Sequence, residues 1–390
     1  MFDFCINGAG MVGAATALGL ARAGYSVALI EQRPPQPYCA EQSPDLRMSA
    51  ISMASVNLLD ELGAWSHIEA MRVRPYHGLS VWEHPDCRTD FVAQEVGYDL
   101  LGYFVENRVI QLGCHAALKS YDNVTWFSPA RIEHIERNNT QPVKITLDDN
   151  STLTCQWLIG ADGAESQVRQ AAGIGISGWQ YQQQAMGITV QFDEPVDGIT
   201  WQQFTPQGPR ALLPMHENFA SLIWYDMPDV LKDLKRQSNA QIKESIVAHF
   251  PPLPGDFDVL NCAAFTLIRR HASQYVLPGV ILVGDAAHTI NPLAGQGVNL
   301  GFKDIKALLA VLSDKPDLAS TTCLKMLQED YELPRQRDNA LMMSAMDGFY
   351  STFSNDIGPL KLLRNGLLKL AHHSGPIKQQ VLKYAMGLSE

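Results

Sequence analysis

The 390-residue chain predicts an α/β fold: a Rossmann-like dinucleotide-binding domain, a sheet-based domain inserted into it, and a helical C-terminal region. Three observations predict it. A short apolar strand runs straight into Gly8-Ala9-Gly10-Met11-Val12-Gly13 and a small-residue helix. Alternation of apolar and polar residues dominates 181–225, and helical spacing takes over after Gly301. On these patterns the nucleotide-binding domain comprises 1–74, 101–180 and 273–340, the inserted domain 75–100 and 181–272, and the helical region 341–390.

Each element has a local reason. Phe2 to Ile6 is the first strand, Ala14 to Ala23 a helix closed by Gly24, and Tyr25 to Ile30 a second strand ending at Glu31-Gln32-Arg33. This is a βαβ unit of about 30 residues. Gly8 permits the tight turn, Gly10 lets backbone approach a pyrophosphate, and Gly13 lets helix and strand pack closely. Glu31 stands 18 residues beyond Gly13 (31 − 13), close to the spacing of an acid that binds the adenosine ribose. Such an acid favours FAD or NAD over NADP, whose 2′-phosphate it would repel.

Arg33 to Pro44 is a Pro-rich loop, and Ala54 to Leu62 is helical. Arg47 between them either touches the cofactor or is an exposed loop residue. Leu79 to Trp82 and Asp90 to Ala93 alternate like strands, and a further strand leads into the helix Val109 to Leu118. At that helix start Arg108 and Gln111 lie three apart, a candidate clamp on the cofactor. Four short strands follow, the last running from Leu153 to Ile159 into Gly160-Ala161-Asp162-Gly163, with Ser166 and Arg169 beyond. Asp162 is either a ligand at a strand's carboxyl end or part of an Asp-Gly hairpin turn.

In the inserted domain, Trp201, Phe204, Trp224 and Tyr225 either line an apolar substrate chamber or form ordinary sheet core. Val230 to Phe250 reads as helix and Ala263 to Arg269 as strand. Arg269-Arg270-His271 is a basic trio on an acidic chain, either a surface patch or a site for nicotinamide phosphates. Then Gly279 to Val283, a buried strand, stops at Gly284-Asp285. Asp285 is the candidate acceptor for the hydroxyls of a polyol chain. Beyond it Pro292, Leu293, Ala294, Gly295, Gln296 and Gly297 lead into a helix at Val298-Asn299, so backbone N–H groups can cradle a planar ring. Phe302 to Leu312, Ala319 to Met346, Leu360 to Ala371 and Ile377 to Met386 are helical. After Pro359, Lys361, Arg364, Lys369, Lys378 and Lys383 face only Glu390, at amphipathic spacing. That tail either docks on a membrane surface or partner complex, or packs on the sheet.

The net charge of −11 argues against nucleic-acid binding. Seven scattered cysteines without a C-x-x-C pair fit a reduced, cytoplasmic compartment. His84-Pro85-Asp86-Cys87 lacks a second ligand pair, so no metal is expected. Glycines interrupt the apolar run from Phe4 to Ala21, and no stretch is long enough to span a bilayer.

Gly8 to Gly13 with Glu31, Asp162-Gly163 with Ser166 and Arg169, and Gly284-Asp285 through Gly301 together resemble the three fingerprints of class A flavoprotein aromatic hydroxylases. Arg47 to Ser52, Trp201 to Pro206, Gly208-Pro209-Arg210 and His288 to Gly297 are similar to the ubiquinone-biosynthesis hydroxylases among them. The resemblance implies the aromatic hydroxylase fold, with Glu31, Arg47, Arg108, Gln111, Asp162 and Asp285 on FAD and Pro292 to Gly297 along the flavin ring. It also implies that NAD(P)H reduces FAD, that O2 adds at flavin C4a, and that the hydroperoxide hydroxylates a polyprenylated quinol ring. No side chain stands out as an acid or base for this chemistry, and His288 reads as structural. A non-catalytic flavoprotein subunit and a hydroxylase of soluble phenols are the other readings.

Overall fold

In the computed structural model, residues 1–138, 140–290, 297–353 and 375–388 are described. Three sheets carry the architecture. The first has eight strands, and Phe2–Asn7 runs parallel between Thr152–Gly160 and Val27–Ile30. Val280–Leu282 continues the parallel array beyond Thr152–Gly160, and Val124–Phe127 extends it at the other side. An antiparallel pair, Ile132–Asn138 and Thr140–Leu147, branches from Thr152–Gly160. The inner strands are apolar on both faces because helices cover both; Phe4, Ile6, Leu29, Trp157 and Ile281 are wholly buried.

The second sheet also has eight strands and is built on two long ones, Ile176–Phe192 and Phe257–Ala272. Gly78–Trp82 joins it by parallel pairing with Ile199–Gln203, which brings a distant segment of chain into the same layer. One face carries Met186, Ile188, Val190, Leu212 and Trp224 under the helices Pro228–Lys235 and Asn239–His249. Two helices replace the single one expected over 230–250. Ser238 starts the second with a capping box, its hydroxyl accepting from the Gln241 N–H while the Gln241 side chain accepts from the Ser238 N–H. A small third sheet pairs Gly102–Glu106 with Met48–Ser52 on one side and Arg74–Tyr76 on the other, all antiparallel.

In the C-terminal region, Gly297–Leu312 packs on the first helix, Met11–Arg22. The single helix expected over 319–346 is instead Thr321–Met326, a π-helical segment Leu327–Glu332, and Leu333–Phe353. The wider turn points two consecutive side chains inward. Tyr331 donates to the Leu282 carbonyl at 2.7 Å, and Glu332 accepts from the Tyr275 N–H at 3.1 Å. The helix expected over 360–371 lies outside the described residues. Among the described residues no helix is long and apolar enough to cross a membrane.

Candidate flavin site

The glycine turn is shaped by contacts no larger residue could make. Gly8 has φ +99°, and a Cβ on Gly13 would stand 1.9 Å from the Gly8 carbonyl oxygen. Above Gly10 the space is open for 4 Å. Glu31 accepts from the Ala9 N–H at 2.8 Å and from the Arg33 N–H at 2.7 Å, so it braces this turn while facing the cavity beside it. The Ala9 carbonyl accepts from Gln111 Nε2 at 2.8 Å and bonds His115 Nε2 at 2.7 Å. Sequence reading passed over His115. Its position one turn beyond Gln111 on the same helix face was the available signal.

Two cavities meet at Gly10. One, about 350 Å³, is lined by Asn7, Gly8, Glu31, Gln32 and Asp162. The other, about 600 Å³ and mainly apolar, lies between Met11, Arg47, Arg108 and Gln111 on one side and Gly187 and Phe265 of the second sheet on the other. Arg108 reaches this cavity already engaged, holding Asp45 at 2.8 and 3.0 Å and donating to the Pro37 carbonyl. It therefore ties the 33–45 loop to the site. Arg47 is exposed there, with its carbonyl accepting from the Asn107 N–H at 3.0 Å.

Asp162 ends a strand that passes into the helix Gln167–Ala171, which excludes a hairpin at this Asp-Gly pair. Its Oδ2 accepts from Asn7 Nδ2 and from the N–H groups of Gln167 and Val168, whereas its Oδ1 is buried without a partner among the described residues. Buried polar atoms are almost always satisfied, so an unpaired carboxylate oxygen beside a cavity fits a ligand that donates to it. Gly163 follows at φ +80°.

Asp285 stands at the carboxyl end of Val280–Leu282. Space is open in front of its side chain and, among the described residues, no donor reaches its carboxylate. The surrounding protein nevertheless pushes its carboxyl up, with His288 and Arg47 pulling it back. An exposed carboxylate that no donor reaches among the described residues suits the hydroxyls of a polyol chain.

The three motifs interlock. Val12 packs into a niche at Gly284 and Gly301, where added Cβ atoms would stand 3.2 and 2.6 Å from its methyls. Arg169, capped into place by Ser166, donates to the carbonyls of Ala286 at 2.9 Å and Ala164 at 2.8 Å, tying the second motif to the third. Asn299 is buried. Its side chain accepts from the Ser52 N–H and the Ser55 hydroxyl and donates to the Ala50 carbonyl, which ties the helix start to the third sheet. Gly297 and Val298 open the same helix. Pro292, Leu293, Ala294, Gly295 and Gln296 lie outside the described residues.

Several side chains with two open readings are settled by their surroundings. Trp201 and Trp224 pack with Phe250 beneath the helices, on the face away from the cavity, and so belong to sheet core. Tyr225, the next residue after Trp224, necessarily points to the other face, where it joins Tyr181, Ala185, Met346 and Tyr350. Phe204 stacks on Phe353 at 4.1 Å. The basic trio is spent on internal links, which removes it as a free phosphate site: Arg269 pairs with Asp347 and covers Trp179, and Arg270 pairs with Glu165. Lys378, expected on an outward basic face, is instead buried on Glu95 at 2.7 Å. Lys383 is exposed; Lys361, Arg364 and Lys369 lie outside the described residues.

His271 donates to or accepts from the Tyr275 hydroxyl at 2.8 Å. Burial, with His288 and Arg269 nearby, pushes its pKa down to about 4. The unfolded chain then takes up this proton first as pH falls, so stability drops from about pH 6.5 toward pH 4 and His271 adds no further loss below. Thermal unfolding of His271→Gln across that window is expected to show a shallower decline than the parent. Parallel curves would refute the assignment.

A glycine-turn nucleotide site joined to an apolar cavity on a second sheet defines a class, the flavoprotein monooxygenases of aromatic hydroxylase fold. A family profile described as FAD binding domain matches residues 1–325, and one described as squalene epoxidase matches residues 264–390. The chain is 46% identical over 386 residues to 3-demethoxyubiquinol 3-hydroxylase of Escherichia coli K12, covering 99% of this chain and 98% of that protein. It is 32% identical over 448 residues to the mitochondrial ubiquinone biosynthesis monooxygenase COQ6 of Homo sapiens, covering 99% and 92%. The solved p-nitrophenol 4-monooxygenase PnpA of Pseudomonas putida DLL-E4 shares the fold at a TM-score of 0.82 and 19% identity, over 100% and 99% of the two chains. The chain belongs to the ubiquinone-biosynthesis hydroxylase family of FAD-dependent aromatic monooxygenases.

Proposed function

We propose that this enzyme hydroxylates the ring of a methylated, methoxylated polyprenyl benzoquinol, with NAD(P)H as electron donor and O2 as oxidant. The observation that carries the reading is the mainly apolar cavity of about 600 Å³ between the glycine turn and the second sheet. It would receive an electron-rich ring and the first part of an apolar chain. The action of the 46%-identical relative on a demethoxyubiquinol supports the same substrate class. FAD, when bound, supplies the activation of O2 and the electrophilic oxygen.

The chain's own residues bind, orient and keep out water. Asp162 Oδ1 and the Asp285 carboxylate would accept from the cofactor's hydroxyls, and the glycine turn would receive its pyrophosphate. Small residues at Gly187 and Ala263 leave room for a planar ring against the sheet, and Phe265 projects beside it. Tyr225, Met346 and Tyr350 add apolar surface on the same face of the sheet, which would help to keep water from the reacting centre.

The test is mass spectrometry of quinones in cells lacking this protein, paired with the purified enzyme under ¹⁸O₂. Accumulation of the unhydroxylated polyprenyl quinol, and one labelled oxygen in the product formed in vitro, are expected. An unchanged quinone pool with turnover of a soluble phenol would replace the substrate. Absence of NAD(P)H-dependent turnover on either would leave a flavoprotein subunit without catalysis of its own.

A further inference from the structure

The helix Gly297–Leu312 buries an acid in its apolar stripe. Asp304 is fully enclosed, and Leu300 and Leu308, four residues to either side, are core residues. Burying an ionised carboxylate is costly unless it is paired and hydrogen-bonded. Here Oδ2 serves one turn, while Oδ1 is held from another helix. Oδ2 accepts from the Gly284 N–H at 3.0 Å and meets His288 Nε2 at 2.5 Å. Oδ1 accepts from Arg335 Nε at 2.8 Å, and Arg335 is itself held by Asn339 Oδ1 and Asp338. His288 and Arg335 together hold the Asp304 carboxyl below the usual range against the opposing effect of its burial.

Gly284 and His288 are the two ends of the short turn that carries Asp285. The middle of the turn is gripped from the other side, where the Ala286 carbonyl accepts from Arg169. The Asp285 carbonyl accepts from the Thr289 hydroxyl at 3.3 Å, and among the described residues no donor reaches its carboxylate. The turn is thus fixed at both ends by one carboxylate and at its centre by one guanidinium, while the group it presents stays open.

We propose that Asp304, which lies outside the three motif segments that approach the cofactor, is a positioning residue of the flavin site. It sets the place of Asp285 by clamping both ends of its turn. The proposal rests on the reading of Asp285 as a ligand to FAD. Asp304 does not touch the cofactor; it acts through Asp285, and removing its charge matters for FAD only while Asp285 is there to be placed.

A double-mutant cycle on the full-length holoenzyme tests this, with FAD release read by fluorescence on serial dilution. Asp304→Asn is expected to weaken FAD retention by about tenfold in the parent and by less than about twofold in an Asp285→Asn background. Equal weakening in both backgrounds would overturn the proposal, because a merely structural residue adds its effect independently. No weakening in the parent would overturn it too. If Asp285→Asn alone retains FAD as the parent does, the ligand reading fails first and takes the proposal with it. Should Asp304→Asn not fold, His288 supplies a second route. His288→Gln keeps an amide donor toward Asp304 and is expected to retain FAD, whereas His288→Leu, with no donor, is expected to lose it. Equal retention by those two variants would count against the clamp.

Discussion

Asp285→Ala is expected to purify without yellow colour. The substitution removes a charged acceptor, and hydrogen bonds to charged groups contribute about 1.5 to 3 kcal/mol each, so FAD affinity falls by about tenfold or more for every hydroxyl that loses its partner. Folding is expected to survive, because among the described residues no donor reaches this carboxylate and the clamps on its turn are made elsewhere. The check is the ratio of flavin to protein absorbance after gel filtration, with circular dichroism showing an unchanged fold. A variant as yellow as the parent would remove Asp285 from the cofactor site.

Arg210→Met is expected to destabilise the protein by about 3 to 5 kcal/mol, the cost of leaving a buried carboxylate without its counter-charge. Arg210 is buried, pairs with Asp226 at 3.0 Å, lies over the Trp224 ring at 4.7 Å, and donates to the carbonyls of Gly208, Pro209 and Tyr225. Its loss leaves Asp226 with Trp224 Nε1 and the Met227 N–H alone. It also frees the turn at Gly208, whose φ of +113° already demands glycine. Replacing both partners, Arg210→Met with Asp226→Leu, is expected to recover much of the loss. Urea denaturation of the three variants decides it; a single-variant loss below about 1 kcal/mol would show the pair to be dispensable.

The parts of this molecule that could be read from residues alone are those where backbone chemistry dictates the outcome. The glycine turn, the acid ending the second strand and the two strand-end aspartates followed from spacing, because a tight turn and a helix N-terminus constrain which residue types fit. Buried arginines were illegible for the opposite reason. The partners of Arg169, Arg210 and the half-buried Arg269, the last read as a surface patch or phosphate site, were hidden, since nothing local reveals a carbonyl or carboxylate supplied from far along the chain. Lys378 misled in the same way, its partner Glu95 arriving from a different segment. The π-helical segment was hidden because Tyr331 and Glu332 are ordinary helix residues until the Leu282 carbonyl and Tyr275 N–H are brought beside them. Asp304 was visible in principle, as one acid on an otherwise apolar helix face.

Val12 sits in the niche formed at Gly284 and Gly301. During synthesis this residue leaves the ribosome long before the two glycines that receive it. The first βαβ unit therefore cannot close its pocket as it emerges, and flavin capture waits until the third motif has been made. Newly made chain must keep an unfinished nucleotide site soluble until its C-terminal third arrives, a demand typical of proteins dominated by distant contacts.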